Sequence, residues 1–211
     1  SLKKYTKENY KIIIALLILV FLIFIFYQYY SFKKIQDVQK NSIVYFNAKE
    51  LQSNEDFYNI MEDLSSNHDF YSIISNLEMI NINLKNNNFN LAEKLYFDLL
   101  ENDDLNSIYK SAIASHAAYS FINVININSD LSYRNLVENY FSYIDDTLIS
   151  YVGIKMELKY ILNVTNLDIN NIALADDKET LNLYKSIMES EVVSSSIKER
   201  VSKIHEFQLY K

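Results

Sequence analysis

The stretch LKNNNFNLAEKLYFDLLEND, residues 84–103, decides how the rest of the chain is read. Three asparagines precede a segment in which Phe89, Ala92, Tyr96 and Leu99 recur at spacings of three and four. That spacing puts them on one face of a helix. Asn86, Asn87 and Asn88 make a turn, since Asn tolerates the left-handed backbone that glycine usually supplies. Just upstream, FYSIISNLEMININLK at 70–85 places Tyr71, Ile74, Leu77, Ile80 and Leu84 at helical spacing. Two runs, 79–84 and INVININ at 122–128, alternate with period two and would also suit strands. Neither is flanked by glycine or a hairpin turn, so both are expected to be helical. The spacing therefore predicts a helix at 70–85, a turn, and a second helix at 89–101.

A helix–turn–helix with an aromatic, a small residue and a second aromatic on its second helix has the pattern of a tetratricopeptide repeat. Ala92 marks the point where the two helices would approach closely. Outward from this unit the pattern recurs. A second unit is expected from a helix over Leu105–Val124, with Ser111, Ala112, Ala114, Ser115, Ala117 and Ala118 as a small-residue stripe, and a partner over Tyr133–Tyr143. A third starts near Thr147 and runs to Asn163, with a partner over Lys178–Met188. It contains Gly153, the only glycine of the chain. Inside a helix glycine costs roughly 1 kcal/mol relative to alanine, so a packing reason is expected. The segment NVTNLDINNIALADD, residues 163–177, reads as a long loop. A last helix, Ser194–Leu209, would cap the array with Ile197, Val201, Ile204, His205 and Gln208 on one side.

Composition agrees with an all-α fold. The 211 residues include no proline, no cysteine and one glycine, so helix breakers are almost absent. Turns must then come from Asn, Asp and Ser. Without cysteine there is neither disulfide nor thiol chemistry. The net charge of −7 is unevenly placed. Lys3, Lys4, Lys7 and Lys11 stand against Glu8, and Lys33, Lys34, Lys40 and Lys49 against Asp37, while residues 50–211 are strongly acidic. An acidic body argues against nucleic acid, because neutralising phosphates takes clustered Lys and Arg.

Between the two basic flanks lies IIIALLILVFLIFIFYQYY, residues 12–30, without a charge. Its apolar part rises about 24 Å as a helix, and tyrosines at both ends extend it toward a bilayer core of about 30 Å. Ile12, Leu16, Val20, Phe24 and Tyr27 are expected transmembrane positions along its length. A cleaved signal peptide would need a small-residue exit, and the exit here is Phe26-Tyr27-Gln28-Tyr29-Tyr30. A buried core helix would not be apolar all round. The expected organisation is a basic tail at 1–11, a transmembrane anchor at 12–30, linker helices at 31–64 and a repeat domain at 65–211. In the linker, Phe32, Ile35, Val38, Ile43, Phe46 and Leu51 mark one face, and Phe57, Ile60, Met61 and Leu64 a further short helix. The lysine flanks nearly balance, so the positive-inside rule decides little. The expected orientation puts the short tail in the cytoplasm and the body across the membrane.

Residues for chemistry are scattered. His68, His116 and His205 lack a second ligand at metal spacing. His116, beside the alanine stripe, is expected to be packed and hydrogen-bonded. Glu101-Asn102-Asp103-Asp104, Asp145-Asp146 and Asp176-Asp177 lack the glycine of a calcium loop and read as caps and turns. One glycine cannot build a phosphate loop, and three distant histidines make no catalytic triad. Asn163-Val164-Thr165 matches a glycosylation acceptor, as an Asn-rich chain will by chance. The expectation is a non-enzymatic protein without metal or cofactor. Tyr109, Tyr119, Tyr133, Tyr140 and Tyr143 are expected in the core or lining a protein-binding groove.

The layout resembles the bacterial YfgM-like family of membrane-anchored tetratricopeptide-repeat proteins, which are ancillary to the SecYEG translocon. The resemblance rests on the anchor at 12–30, YFNAKELQ at 45–52, LEMININLKNNNFNLAEKLYFDLL at 77–100 and IYKSAIASHAAYSF at 108–121. Two departures are Asn87 in place of the repeat's turn glycine and the long segment at 163–177. What it implies is a solenoid of antiparallel helix pairs with packing positions at Phe89, Ala92, Tyr96, Leu99, Ala114, Ala118 and Gly153. It further implies a scaffold in the inner membrane, with the repeats in the periplasm. Expected partners are translocon subunits, periplasmic chaperones or client chains. The alternatives are a scaffold for another envelope machine, such as outer-membrane protein assembly or division-linked wall synthesis, and a membrane-anchored ligand-binding domain.

Overall fold

The computed structural model describes residues 2–51, 54–67, 69–128, 130–167 and 177–209. These are almost wholly helical, and no strand occurs among them. The helices are α1 (Leu2–Lys49), α2 (Asn54–Ser65), α3 (Phe70–Lys85), α4 (Phe89–Leu100), α5 (Ser107–Asn128), α6 (Arg134–Ser142), α7 (Ile149–Leu167), α8 (Lys178–Glu189) and α9 (Ser195–Leu209), with a short 3-10 turn, Leu131–Tyr133, before α6. The chain divides into two compact units, residues 1–79 and 80–211, and the boundary falls within α3.

In the first unit, the segments expected as tail, anchor and start of the linker form one unbroken helix of 48 residues. Every residue from Ile14 to Tyr30 is exposed, as are Lys11 and Ile12. This is the one described helix long and apolar enough to cross a membrane. The far end of α1 turns another face inward, where Tyr45 and Ala48 are buried with Met61 and Leu64 of α2. Polar ties complete that face. Asn41 Nδ2 donates to Asp69 Oδ2 at 2.8 Å, and the Tyr45 hydroxyl donates to Glu78 Oε1 at 2.9 Å. Lys49 Nζ reaches the same Glu78 oxygen at 2.6 Å. Burial and the adjacent Glu78 carboxylate push the Tyr45 hydroxyl up to about 12.

The second unit is organised around α5 and α7. Helix α5 packs against α4, α6 and α7, while α7 packs against α8 and α9. Its alanine stripe explains this centrality. Ala114, Ala117 and Ala118 are fully buried, and small side chains let three helices approach one axis. The INVININ run, which could have been a strand, ends α5 as helix, with Ile122, Val124 and Ile125 buried. The turn before α4 is the expected asparagine turn. Asn87 has φ 58°, the single non-glycine residue with positive φ among the described residues. The Asn88 N–H donates to the Asn83 carbonyl at 2.8 Å, closing the end of α3.

Several boundaries differ from expectation. Leu105 and Asn106 precede α5, and Asn106 instead accepts the Tyr109 N–H with its side chain. Tyr133 belongs to the 3-10 turn, which the Asp130 side chain begins by accepting from the Ser132 N–H. Helix α7 continues through Leu167, so the first part of the expected loop at 163–177 is helical. Thr165 there bonds the Ile161 carbonyl, and the acceptor-like Asn163-Val164-Thr165 lies in a helix with Val164 buried. The remainder, 168–176, lies outside the described residues, as does His68. Asp177 is the N-cap of α8, accepting from the Thr180 N–H at 2.7 Å.

Candidate functional site

Three clusters organise the second unit. The first surrounds Tyr96. Its ring lies edge-on to Phe121 and Tyr140, with centroids 6.3 and 5.8 Å away. The Tyr96 hydroxyl meets His116 Nδ1 at 2.6 Å and Ser120 Oγ at 3.2 Å. Ala92, Tyr96 and Leu99 are buried together on α4, whereas Phe89 is half-buried and stands edge-on to Tyr133. His116 is bonded as expected, yet it is exposed rather than packed within the core. Enough protein surrounds its ring to hold its pKa below the usual histidine value. Of the five tyrosines expected in core or groove, Tyr140 is fully buried, and Tyr133 and Tyr143 are half-buried. Tyr109 and Tyr119 are exposed.

The second cluster centres on Glu157, a residue only 1% exposed. An ionised carboxylate so placed must be paired. Arg200 of α9 donates from Nε to Oε1 at 2.7 Å and from a terminal nitrogen to Oε2 at 2.6 Å. The Tyr119 hydroxyl of α5 donates to Oε2 at 2.8 Å. This two-point fork is the arrangement that guanidinium geometry favours. It joins α5, α7 and α9 across residues 38 and 43 positions apart in the chain. Burial, followed by the Glu157 charge, raises the Tyr119 hydroxyl, and Glu157 raises the Arg200 guanidinium. Tyrosine stays neutral and arginine charged, so the cluster is a fixed tie and not a proton donor.

The third cluster closes the far side of α7. The Tyr160 hydroxyl meets His205 Nδ1 at 2.9 Å, and the His205 ring stacks on Tyr184 at a centroid distance of 4.0 Å. Burial pushes Tyr160 up to about 12 and His205 down. Tyr160, Val164, Ile187, Val193, Ile197 and Val201 form one apolar core. Gly153 adjoins it. A Cβ built there would lie 3.0 Å from Ile197 Cδ1 and 3.5 Å from the Val193 Cα, which supplies the packing reason for glycine.

Two open grooves are lined beside these clusters. One is bounded by Leu84, Asn87 and Phe89 on one side and by Ser120, Val124 and Ile127 of α5 on the other. The larger, with a volume of about 370 Å³, runs between α7 and α9. Its apolar floor is Ile161, Val164, Ile204 and Phe207, and Asn126, Thr165, Lys203 and Gln208 rim it. Phe207 is 63% exposed. The Gln208 side-chain oxygen is buried without a hydrogen-bond partner among the described residues. An apolar lining with a few polar groups suits a protein segment or a small, largely apolar ligand.

Among the described residues no group of three His, Cys, Asp or Glu side chains converges to hold a metal ion. Of the residues the sequence singled out, Ala114, Ala118 and the Ala92–Tyr96–Leu99 face of α4 are buried, and Gly153 lies close to Ile197 and Val193. Sequence reasoning missed Glu157, Arg200 and Phe207, and it expected Tyr119 in the core or a groove without seeing its bond to Glu157. The available signals were a lone carboxylate inside the run YVGIKMELKYIL and a phenylalanine just off the Ile197–Val201–Ile204 stripe. Comparison of the chain with protein-family models, with curated proteins and with solved structures finds no match.

Proposed function

We propose that this protein is a non-catalytic, membrane-anchored scaffold whose second unit receives a segment of a partner protein in the groove between α7 and α9. The observation that carries the reading is the groove itself, in which the exposed Phe207 and the half-buried Ile161 and Ile204 lie beside the buried Val164 of the closed core. The pairing of α5 with α6 and of α7 with α8, together with packing of α5 on α7 and α7 on α9, supports a solenoid of the tetratricopeptide kind. Helix α1 supplies the anchor, with the tail in the cytoplasm and the body on the opposite, periplasmic side of a bacterial inner membrane. The resemblance of the anchor, the linker and the α3–α5 segments supports the Sec translocon as the place of work, with emerging chains or periplasmic chaperones in the groove.

Photo-crosslinking from within the groove tests this. The full-length protein, in its native membranes, would carry a benzophenone amino acid in place of Ile204 or Phe207, and in place of the exposed Lys185 of α8 as a control. Adducts with translocon subunits, chaperones or secreted chains from the groove positions alone are expected. Groove-specific adducts confined to outer-membrane assembly or wall-synthesis proteins would keep the scaffold and discard the translocon. Equal labelling from Lys185 would discard the groove.

A further inference from the structure

We propose that the exposed stripe along α1 between Phe32 and Phe46 is a parallel dimerisation seam, and that its occupant is the same stripe of a second copy of this chain. Beyond the anchor, α1 continues without a break to Lys49. On this projecting part Phe32 is 59% exposed, Ile35 55%, Ile43 62% and Phe46 60%. Water-facing helix positions do not ordinarily hold two phenylalanines and two isoleucines on one side.

Their order is that of a coiled coil. Phe32, Ile35, Gln39, Ser42 and Phe46 follow alternating steps of three and four, the a and d positions of a heptad, and Ile43 widens the seam beside Ser42. The same steps run back through Gln28, Ile25, Phe21, Ile18 and Ile14, so the seam continues into the anchor without a change of phase. Helices α2 and α3 and the turn before α3 hold the face of α1 that carries Asn41 and Ala48, which at about 100° per residue lies roughly opposite, and they reach the edge of the seam only at Tyr45.

The charges identify the occupant. Lys33, Lys34, Asp37 and Lys40 all fall on the outer b, c and f positions. The flanking e and g positions hold Ser31, Gln36, Val38, Ile43 and Tyr45, none of them charged. A basic segment would repel its own copy if its lysines bordered the seam; these four charged residues point away from it, and Lys49, at the next d position beyond Phe46, is paired with Glu78 of its own chain. An acidic partner would be expected to draw lysines to the border instead. Gln28 and Gln39 on the seam can bond across an identical partner and fix the register, as single polar core residues do in coiled coils. Parallel alignment rests on the anchor reading, since two copies inserted in one bilayer point the same way.

The chain has no cysteine, so single cysteines can be introduced directly. The experiment places one cysteine at each exposed position from Phe32 to Asn47 of the full-length protein and oxidises native membranes. It reads the disulfide-linked dimer on a non-reducing gel. Identical positions on a parallel seam meet, so Phe32→Cys, Ile35→Cys, Gln39→Cys and Phe46→Cys are expected to give severalfold more dimer than Lys33→Cys, Asp37→Cys or Lys40→Cys. The maxima should recur with a period of about 3.5 residues. A flat profile, a maximum on the lysine side, or adducts only with other proteins would overturn the seam. Carbonate extraction of the same membranes reports separately on the anchor. Protein that stays in the membrane without the periodic profile discards the dimer alone.

Discussion

At the scale of single residues, the second unit depends on how its few interior polar groups are met. Glu157 is buried, while its partner Arg200 is half in solvent. Losing the arginine leaves a carboxylate with the Tyr119 hydroxyl as its remaining described donor. Arg200→Met is therefore expected to destabilise the fold by about 3 kcal/mol, the lower end for breaking a buried pair, because water can reach the vacated side. Glu157→Gln should cost less, since it removes the charge along with the need to pair it. Chemical denaturation of both variants followed by circular dichroism checks the order, and equal losses would refute it. The two histidines add a pH dependence. Burial holds the pKa of His116 and of His205 below 6.5, with the nearby Glu206 opposing the shift at His205. Above that value the histidines are neutral in folded and unfolded chains alike. Below it the unfolded chain takes up protons first, so stability falls with pH until the folded histidines protonate too. The thermal midpoint should drop on acidification through this window, and the double variant His116→Gln, His205→Gln should flatten the drop.

At the scale of elements, close approach is the recurring device, and it also shows what a sequence can and cannot disclose. Helix α7 meets α9 over Gly153. A single methyl there would press on the end of the flexible Ile197 side chain, which can move, while gaining about 1 kcal/mol of helix propensity. Gly153→Ala is thus expected to be nearly neutral. Gly153→Val adds branches toward the Val193 backbone, which cannot yield, and should cost about 2 kcal/mol of overpacking. Thermal melts of the two variants distinguish this from a glycine held only for flexibility, where both would behave alike. The contact was legible because one glycine in an otherwise helical run has few explanations. Helices α3 and α4 were legible to within a residue because Asn87 marks the turn between them, and its φ of 58° is the conformation that asparagine allows. The end of α7 was not legible. Polarity at Asn163 and Thr165 resembles a loop, but Thr165 returns its hydroxyl to the Ile161 carbonyl and stays helical. The Glu157 fork was hidden for another reason. Its members sit 38 and 43 residues apart, and periodicity carries no information over that distance.

At the scale of the whole molecule, the strongest constraint is the uncharged surface of α1. Ile12 and every residue from Ile14 to Tyr30 are exposed. Exposing some 19 consecutive largely apolar residues to water is costly at roughly 25 cal/mol per Å² of apolar surface, so a lipid environment is the state that relieves it. Exchanging two residues in the middle of this segment tests the idea more sharply than deleting it. Val20→Arg together with Phe24→Arg places two charges near the bilayer centre, each costing about 3 kcal/mol there. The wild-type protein should stay in the membrane pellet after alkaline carbonate extraction, and the double variant should appear in the supernatant. A parallel pair, Lys33→Cys and Asn47→Cys, gives the side of the membrane on which the linker lies. If the tail is cytoplasmic, both should react with a membrane-impermeant maleimide once the outer membrane is opened, without lysis of the inner membrane. Labelling only after inner-membrane lysis would reverse the orientation and put the acidic body in the cytoplasm. The groove between α7 and α9 would then have to be matched to cytoplasmic partners.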